Sequence, residues 1–187
     1  RGIGCNDKEE SNMNDLTLAT SLNDSAVSSV TDLKVATGGD VDGDGCDDLI
    51  ISYVTNFSTR GTLYLMYGRG AACSSSAALD LSEPDEVFAG DSATEQFGAA
   101  VSIDGDVNGD GCSDILIGSS GDGSSEAGTV YLIYGRGSAC GADYQGSYPG
   151  EGESADSTFE SEDATDGFGA QITAGDINGD GCDDIAL

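Results

Sequence analysis

A nine-residue acidic phrase recurs three times in this chain, and its spacing constrains the fold more than any other feature. It reads DVDGDGCDD at 40–48, DVNGDGCSD at 106–114 and DINGDGCDD at 176–184, so the copies start 66 and 70 residues apart. Every copy carries an oxygen-bearing side chain at positions 1, 3, 5 and 9 and a glycine at position 6, namely Gly45, Gly111 and Gly181. That layout suits a loop wrapped around a hard cation. Alternate side chains of a tight turn face inward, the glycine lets the backbone reverse at positive φ, and the carbonyl at position 7 can face the ion.

An apolar burst follows each loop: Asp48–Val54, Asp114–Gly118 and Asp184–Leu187. These runs are short, rich in branched residues and bounded by Gly or Ser, the pattern of buried strands. A second run, Gly61–Gly68 or Gly128–Gly135, follows across a short polar turn, so each pair predicts a hairpin. Further strands are expected before the loops at Phe97–Ile103 and Phe168–Thr173, and upstream of those at Glu86–Gly90 and Ser157–Glu160. About four strands per repeat predict an all-β chain of tandem four-stranded, propeller-type blades, incomplete at both ends, in a closed propeller or an open, filamentous array.

The unit resembles the FG-GAP repeat of the integrin α-subunit β-propeller. It shares the dipeptides Phe97-Gly98 and Phe168-Gly169, the D-x-[DN]-x-D-G-x-x-D loop, the apolar strand after it and the Gly-x-x-Tyr-Leu strand at Gly61 and Gly128. The resemblance covers residues 30–187 and implies up to three Ca²⁺ sites. Their ligands would be Asp40, Asp42, Asp44, Asp48 and the backbone of Cys46; Asp106, Asn108, Asp110, Asp114 and the backbone of Cys112; and Asp176, Asn178, Asp180, Asp184 and the backbone of Cys182. Two features depart from the family pattern. The first repeat has Thr31-Asp32 where Phe-Gly would fall, and each loop has Cys at position 7. The divisions expected are a tail of a preceding repeat with a connecting segment (1–29), repeat 1 (30–94), repeat 2 (95–165) and the start of repeat 3 (166–187).

The six cysteines fall in the loops (Cys46, Cys112, Cys182) and after Arg-Gly-x-x (Cys5, Cys73, Cys140). A hairpin centred near residue 57 puts Cys46 opposite about residue 69, close to Cys73; a centre near 123 or 124 puts Cys112 close to Cys140. Disulfides Cys46–Cys73 and Cys112–Cys140 are therefore expected, with Cys5–Cys46 and Cys73–Cys112 as the rival, blade-to-blade pairings. Thiolate ligation of a soft metal fits poorly beside hard oxygen ligands. Bridged cysteines imply an oxidising, extracellular or cell-surface setting. Because Arg1–Cys5 matches Arg69–Cys73 and Arg136–Cys140, the chain reads as a window on a longer array. Head-to-tail assembly of identical chains, joining Cys182 to the next Cys5, is the second expectation.

Composition narrows the function. A net charge of −29, with 35 acidic against 6 basic residues, leaves no basic face for nucleic acid. No apolar run approaches the roughly 18 residues of a membrane span. With no histidine, a Ser-His-Asp or Cys-His arrangement is absent from this segment, and no catalytic motif is recognisable, so an enzyme is not expected. A carbohydrate-active domain would need two carboxyls outside the loops facing one cleft. Tyr64, Tyr67, Tyr131 and Tyr134 read as half-buried strand residues rather than a sugar-binding strip, and Arg69 and Arg136 as partners of nearby acids. Asn23 and Asn56 stand in glycosylation sequons. The function expected is that of a calcium-binding, disulfide-bonded extracellular structural or adhesion repeat protein. A self-assembling surface or filament component and a carbohydrate-active domain are the alternatives. Its partners are neighbouring repeats of the same or an identical chain, and a protein or glycan ligand that the sequence does not name.

Overall fold

The computed structural model describes residues 30–55, 60–68, 73, 83–91, 95–121, 127–137, 139–140, 155–163 and 166–187. The expected tail at 1–29, with Cys5 and Asn23, lies outside them, as do Asn56 and Arg69.

The described chain is all-β. Strands β1 (Val30–Thr37), β2 (Leu49–Thr55), β3 (Thr62–Met66) and β4 (Glu86–Ala89) form one antiparallel sheet in chain order. Strands β5 (Phe97–Gly105), β6 (Asp114–Ser119), β7 (Thr129–Ile133) and β8 (Ser157–Glu160) form a second sheet of the same order, and β9 (Thr173–Gly175) pairs with β10 (Asp184–Ala186). These meanders are propeller-type blades. Tyr53 pairs with Thr62 and Ser119 with Thr129, registers whose midpoints agree with the hairpin centres expected near 57 and 124.

Burial of both faces sets the strand sequences. Successive residues of a strand point to opposite faces, so a strand covered on both sides reads as a continuous apolar run. β6 is buried along its whole length. Its Ile115 and Ile117, with Ile133 of β7, join Ile50, Leu63, Leu65, Phe88 and Phe97 in a core between the first two sheets. From the opposite face, Leu116, Val130 and Leu132 pack with Val107, Phe168, Ile172 and Ile185 of the second and third repeats.

The Phe-Gly dipeptide locks one repeat onto the one before it. Phe97 is buried in the first core, and Gly98 adopts φ +82° against β2, where its carbonyl accepts a 2.9 Å bond from Ser52 Oγ. A Cβ on Gly98 would lie 2.0 Å from that oxygen. Gly169 repeats the conformation at φ +81° beside Ser119 and Thr129.

Two details differ from the sequence reading. β1 is a full strand although its sequence lacks the Phe-Gly signal; its pairing with β2 slips between Val30 and Asp32, where that dipeptide would fall. In the third repeat, residues 168–172 form turns, and the strand begins only at Thr173. Its ladder spans the three residues of its partner β10.

Gly98→Ala should therefore lower stability by roughly 2–4 kcal/mol, since it forces a Cβ into both a left-handed backbone and an occupied space. Gly175→Ala, which would meet no atom within 4 Å, should change it by less than about 0.5 kcal/mol. Urea unfolding of the two variants beside the parent measures the contrast.

Candidate metal centre

Each acidic loop joins the inner strand of a repeat to the strand after it. The first carboxylate of each loop is the hub that winds the backbone. Asp40 accepts the N–H groups of Asp44 (3.1 Å) and Gly45 (2.8 Å). Asp106 accepts those of Gly109 (2.7 Å), Asp110 (3.1 Å) and Gly111 (2.9 Å), and Asp176 those of Gly179 (2.6 Å), Asp180 (3.2 Å) and Gly181 (3.1 Å). The position-5 acids Asp44, Asp110 and Asp180 accept the N–H of Cys46, Cys112 and Cys182 at 2.8–3.0 Å. The sixth-place glycines lie at φ +90°, +94° and +92°, as a reversing loop requires.

The ninth residue closes the loop from below. Asp48 is 1% exposed, and its two oxygens accept Val41 N–H and Gly68 N–H, both at 2.7 Å. Asp114 makes the same pair with Val107 (2.8 Å) and Gly135 (2.9 Å). Removal from water raises both carboxyls to about 6, against the pull of those N–H donors; the neighbouring loop acids add to the rise. Asp42 is raised as well, first by burial and then by Asp44 and Asp40.

In the first loop, oxygens of Asp40, Asp42 and Asp48 all lie within 4.8 Å of one another, the one such set among the described residues. Hard carboxylate oxygens gathered so closely are the donor set of a divalent cation such as Ca²⁺, so the residues fit the ion. Asp44 stands outside this set. In the other two loops the position-3 residue is an amide. Asn108 Nδ2 donates to Asp110 (3.0 Å) and Asn178 Nδ2 to Asp184 (3.3 Å), while their oxygens accept the N–H of Asp110 and Asp180.

The loops are stapled. Cys46 is bonded to Cys73 and Cys112 to Cys140, each with Cα atoms 5.3 Å apart, closing spans of 27 and 28 residues. In the chain-entropy account each contributes about 3–4 kcal/mol. Neither rival blade-to-blade pairing occurs, and Cys182 is an exposed free thiol.

The sequence reading missed the clamps at Asp85 and Asp156. Each lies just ahead of an outer strand and accepts the N–H of a strand-end tyrosine, Tyr67 (2.9 Å) or Tyr134 (2.8 Å). The signal was there in the equivalent Asp-Glu86 and Asp-Ser157 junctions. Arg136 pairs with Asp156 at 3.1 Å. The four tyrosines are half-buried; Tyr53 stacks on Tyr64 at 5.9 Å, and Tyr131 donates to Glu95 at 2.6 Å. Asp91, Glu95, Tyr131 and Glu160 line a cleft of about 370 Å³. Glu95 is occupied there, accepting both Tyr131 O–H and Asp91 N–H.

The family model of the FG-GAP repeat matches residues 97–133 and 168–187. The chain carries FG-GAP repeats. Both matched segments begin on a Phe-Gly dipeptide and run through an acidic loop. No curated protein matches the chain. FG-GAP repeats with intrachain disulfides fit an extracellular repeat protein, and such repeats are typically structural or adhesive rather than catalytic. No helix among the described residues is long and apolar enough to cross a membrane.

The raised carboxyls set a pH dependence. Asp48 and Asp114 hold protons more tightly in the folded state than in the unfolded one, so their stabilising contribution is complete below about pH 4. It is lost as pH rises through about 6. With calcium chelated, the urea midpoint should be higher at pH 5 than at pH 7.5, with each residue contributing at most roughly 3 kcal/mol. Asp48→Asn should flatten that slope even where it lowers absolute stability; an unchanged slope would contradict the assignment.

Proposed function

We propose that this FG-GAP chain is a calcium-binding extracellular structural or adhesion protein, in which Ca²⁺ in the acidic loops and the disulfides hold the blades together. The observation that carries the reading is the convergence of Asp40, Asp42 and Asp48 within 4.8 Å beside a loop backbone already wound to the required turn. Like charges at that separation, one of them buried, raise the energy of the metal-free fold. A bound divalent ion would offset that repulsion, which makes the cation a folding cofactor.

The residues that would hold it are Asp40, Asp42, Asp44, Asp48 and the Cys46 carbonyl in the first loop, with the equivalent sets headed by Asp106 and Asp176. The first set has four acids; the others have three acids and an asparagine. Affinity is therefore expected to rank the first loop above the second and third. The adhesive role follows from family likeness, and a self-assembling surface or filament component is its alternative.

Calorimetric Ca²⁺ titration of chelator-stripped protein should show tight binding at one site and weaker binding at two, with a rise in Tm that EDTA reverses. Asp40→Ala should abolish the tightest step. Equal affinities would remove the ranking, and a Tm indifferent to both calcium and EDTA would falsify the structural role of the cation.

A further inference from the structure

The loops touch one another, and they do so in the same way twice. Ser113, at position 8 of the second loop, donates its N–H to the Asp40 carbonyl at 2.9 Å, and its Oγ accepts the Asp40 N–H at 3.2 Å. Asp183, at position 8 of the third loop, donates its N–H to the Asp106 carbonyl at 2.9 Å and accepts the Asp106 N–H on Oδ2 at 2.7 Å. Both polar groups of the first residue in one loop are thus held by the eighth residue of the next. A serine and an aspartate make the same pair of bonds, so the requirement is for an acceptor oxygen at that place. The stacking extends to position 4, where a Cβ on Gly43 would lie 2.9 Å from Cys112 Sγ and one on Gly109 would lie 3.0 Å from Cys182 Sγ.

We infer that Ser113 and Asp183 are positioning residues for the cation site of the preceding loop, and not for the loop in whose sequence they stand. Asp40 and Asp106 are the hubs on which their loops are wound, accepting the sixth-place glycine N–H at 2.8 and 2.9 Å. Fixing the peptide of the hub from outside fixes the direction of its carboxylate before any ion arrives, which lowers the ordering cost of binding. A residue in the eighth place of a cation loop therefore serves its neighbour, and successive sites are linked through the hub's backbone. The inference rests on the calcium reading above.

The test reads each loop separately. In amide NMR spectra of the ¹⁵N-labelled full chain, stripped with EDTA and titrated with Ca²⁺, the amides of Gly45, Gly111 and Gly181 report the first, second and third loops. Ser113→Ala should weaken binding at Gly45 by roughly fivefold, the loss of one hydrogen bond, while moving the Gly111 midpoint less than twofold. Asp183→Ala should likewise shift Gly111 and spare Gly181. Ser113→Asp, which restores an acceptor of the kind used one repeat later, should return the Gly45 midpoint to the parent value and shows that loss in the alanine variant is not misfolding. If Ser113→Ala shifts Gly111 as much as Gly45, or shifts neither, the neighbour assignment is overturned while calcium binding stands. If no glycine amide of the parent chain responds to millimolar Ca²⁺, the calcium reading falls and the inference falls with it.

Discussion

Asp48 and Asp114 each lie almost wholly out of water, with one oxygen bound to the start of the acidic loop and the other to the second residue past the third strand of the sheet. That double acceptance joins three parts of a repeat that are otherwise separate in sequence: the loop, the central strand that begins at the aspartate, and the returning strand of the hairpin. An apolar residue in that place would strand two N–H donors, which burial makes expensive. The disulfide then bonds the same loop to chain beyond the same hairpin, so carboxylate and sulfur reinforce one closure. The metal reading and the folding of the blade therefore meet in one residue.

Repeats assembled this way have two apolar faces and need a neighbour on each. β6 shows the consequence, with Ile115 and Ile117 facing one repeat and Leu116 facing the next. The Phe-Gly dipeptide supplies the grip. Phenylalanine fills the preceding repeat's core, and glycine brings the backbone so close that its carbonyl meets Ser52. Nothing about such an interface depends on the strongly acidic surface, which explains how a chain with net charge −29 still packs apolar layers.

Much of this was legible in the sequence because it depends on local period. Recurrence of the loop set the repeat length, the apolar bursts marked the strands, and hairpin symmetry about residues 57 and 124 was enough to choose the partners of Cys46 and Cys112. What escaped depends on pairing across distance. β1 has no Phe-Gly signal and exposes Leu33 and Val35, so its strand character comes from the β2 edge it completes. Residues 168–172 carry the signal but have only a three-residue partner ladder beyond them. Asp85 and Asp156 were not singled out, since their role is to accept a tyrosine N–H from the end of another strand. In the loops, pattern matching named four side chains per site, whereas the geometry gathers three acids in the first loop and turns the asparagine amide groups of the others toward acids.

The loop sequence has to satisfy two neighbours at once. Positions 1, 5 and 9 wind the loop and tie it to its own sheet, whereas positions 4 and 8 face the adjoining loops. Glycine at position 4 leaves room for the next repeat's sulfur, at φ +70° in Gly43 and +72° in Gly109. Position 8 varies between serine and aspartate because both supply the acceptor that the preceding hub needs. A loop that merely chelated an ion would be indifferent to both positions. Cysteine at position 7 fits the same logic in the second loop, where Cys112 bonds the loop to its own repeat and its sulfur lies beside Gly43 of the repeat before. The acidic phrase is thus a joint between blades as much as a candidate cage, and an ion bound in one loop would act on the same backbone that the next repeat grips.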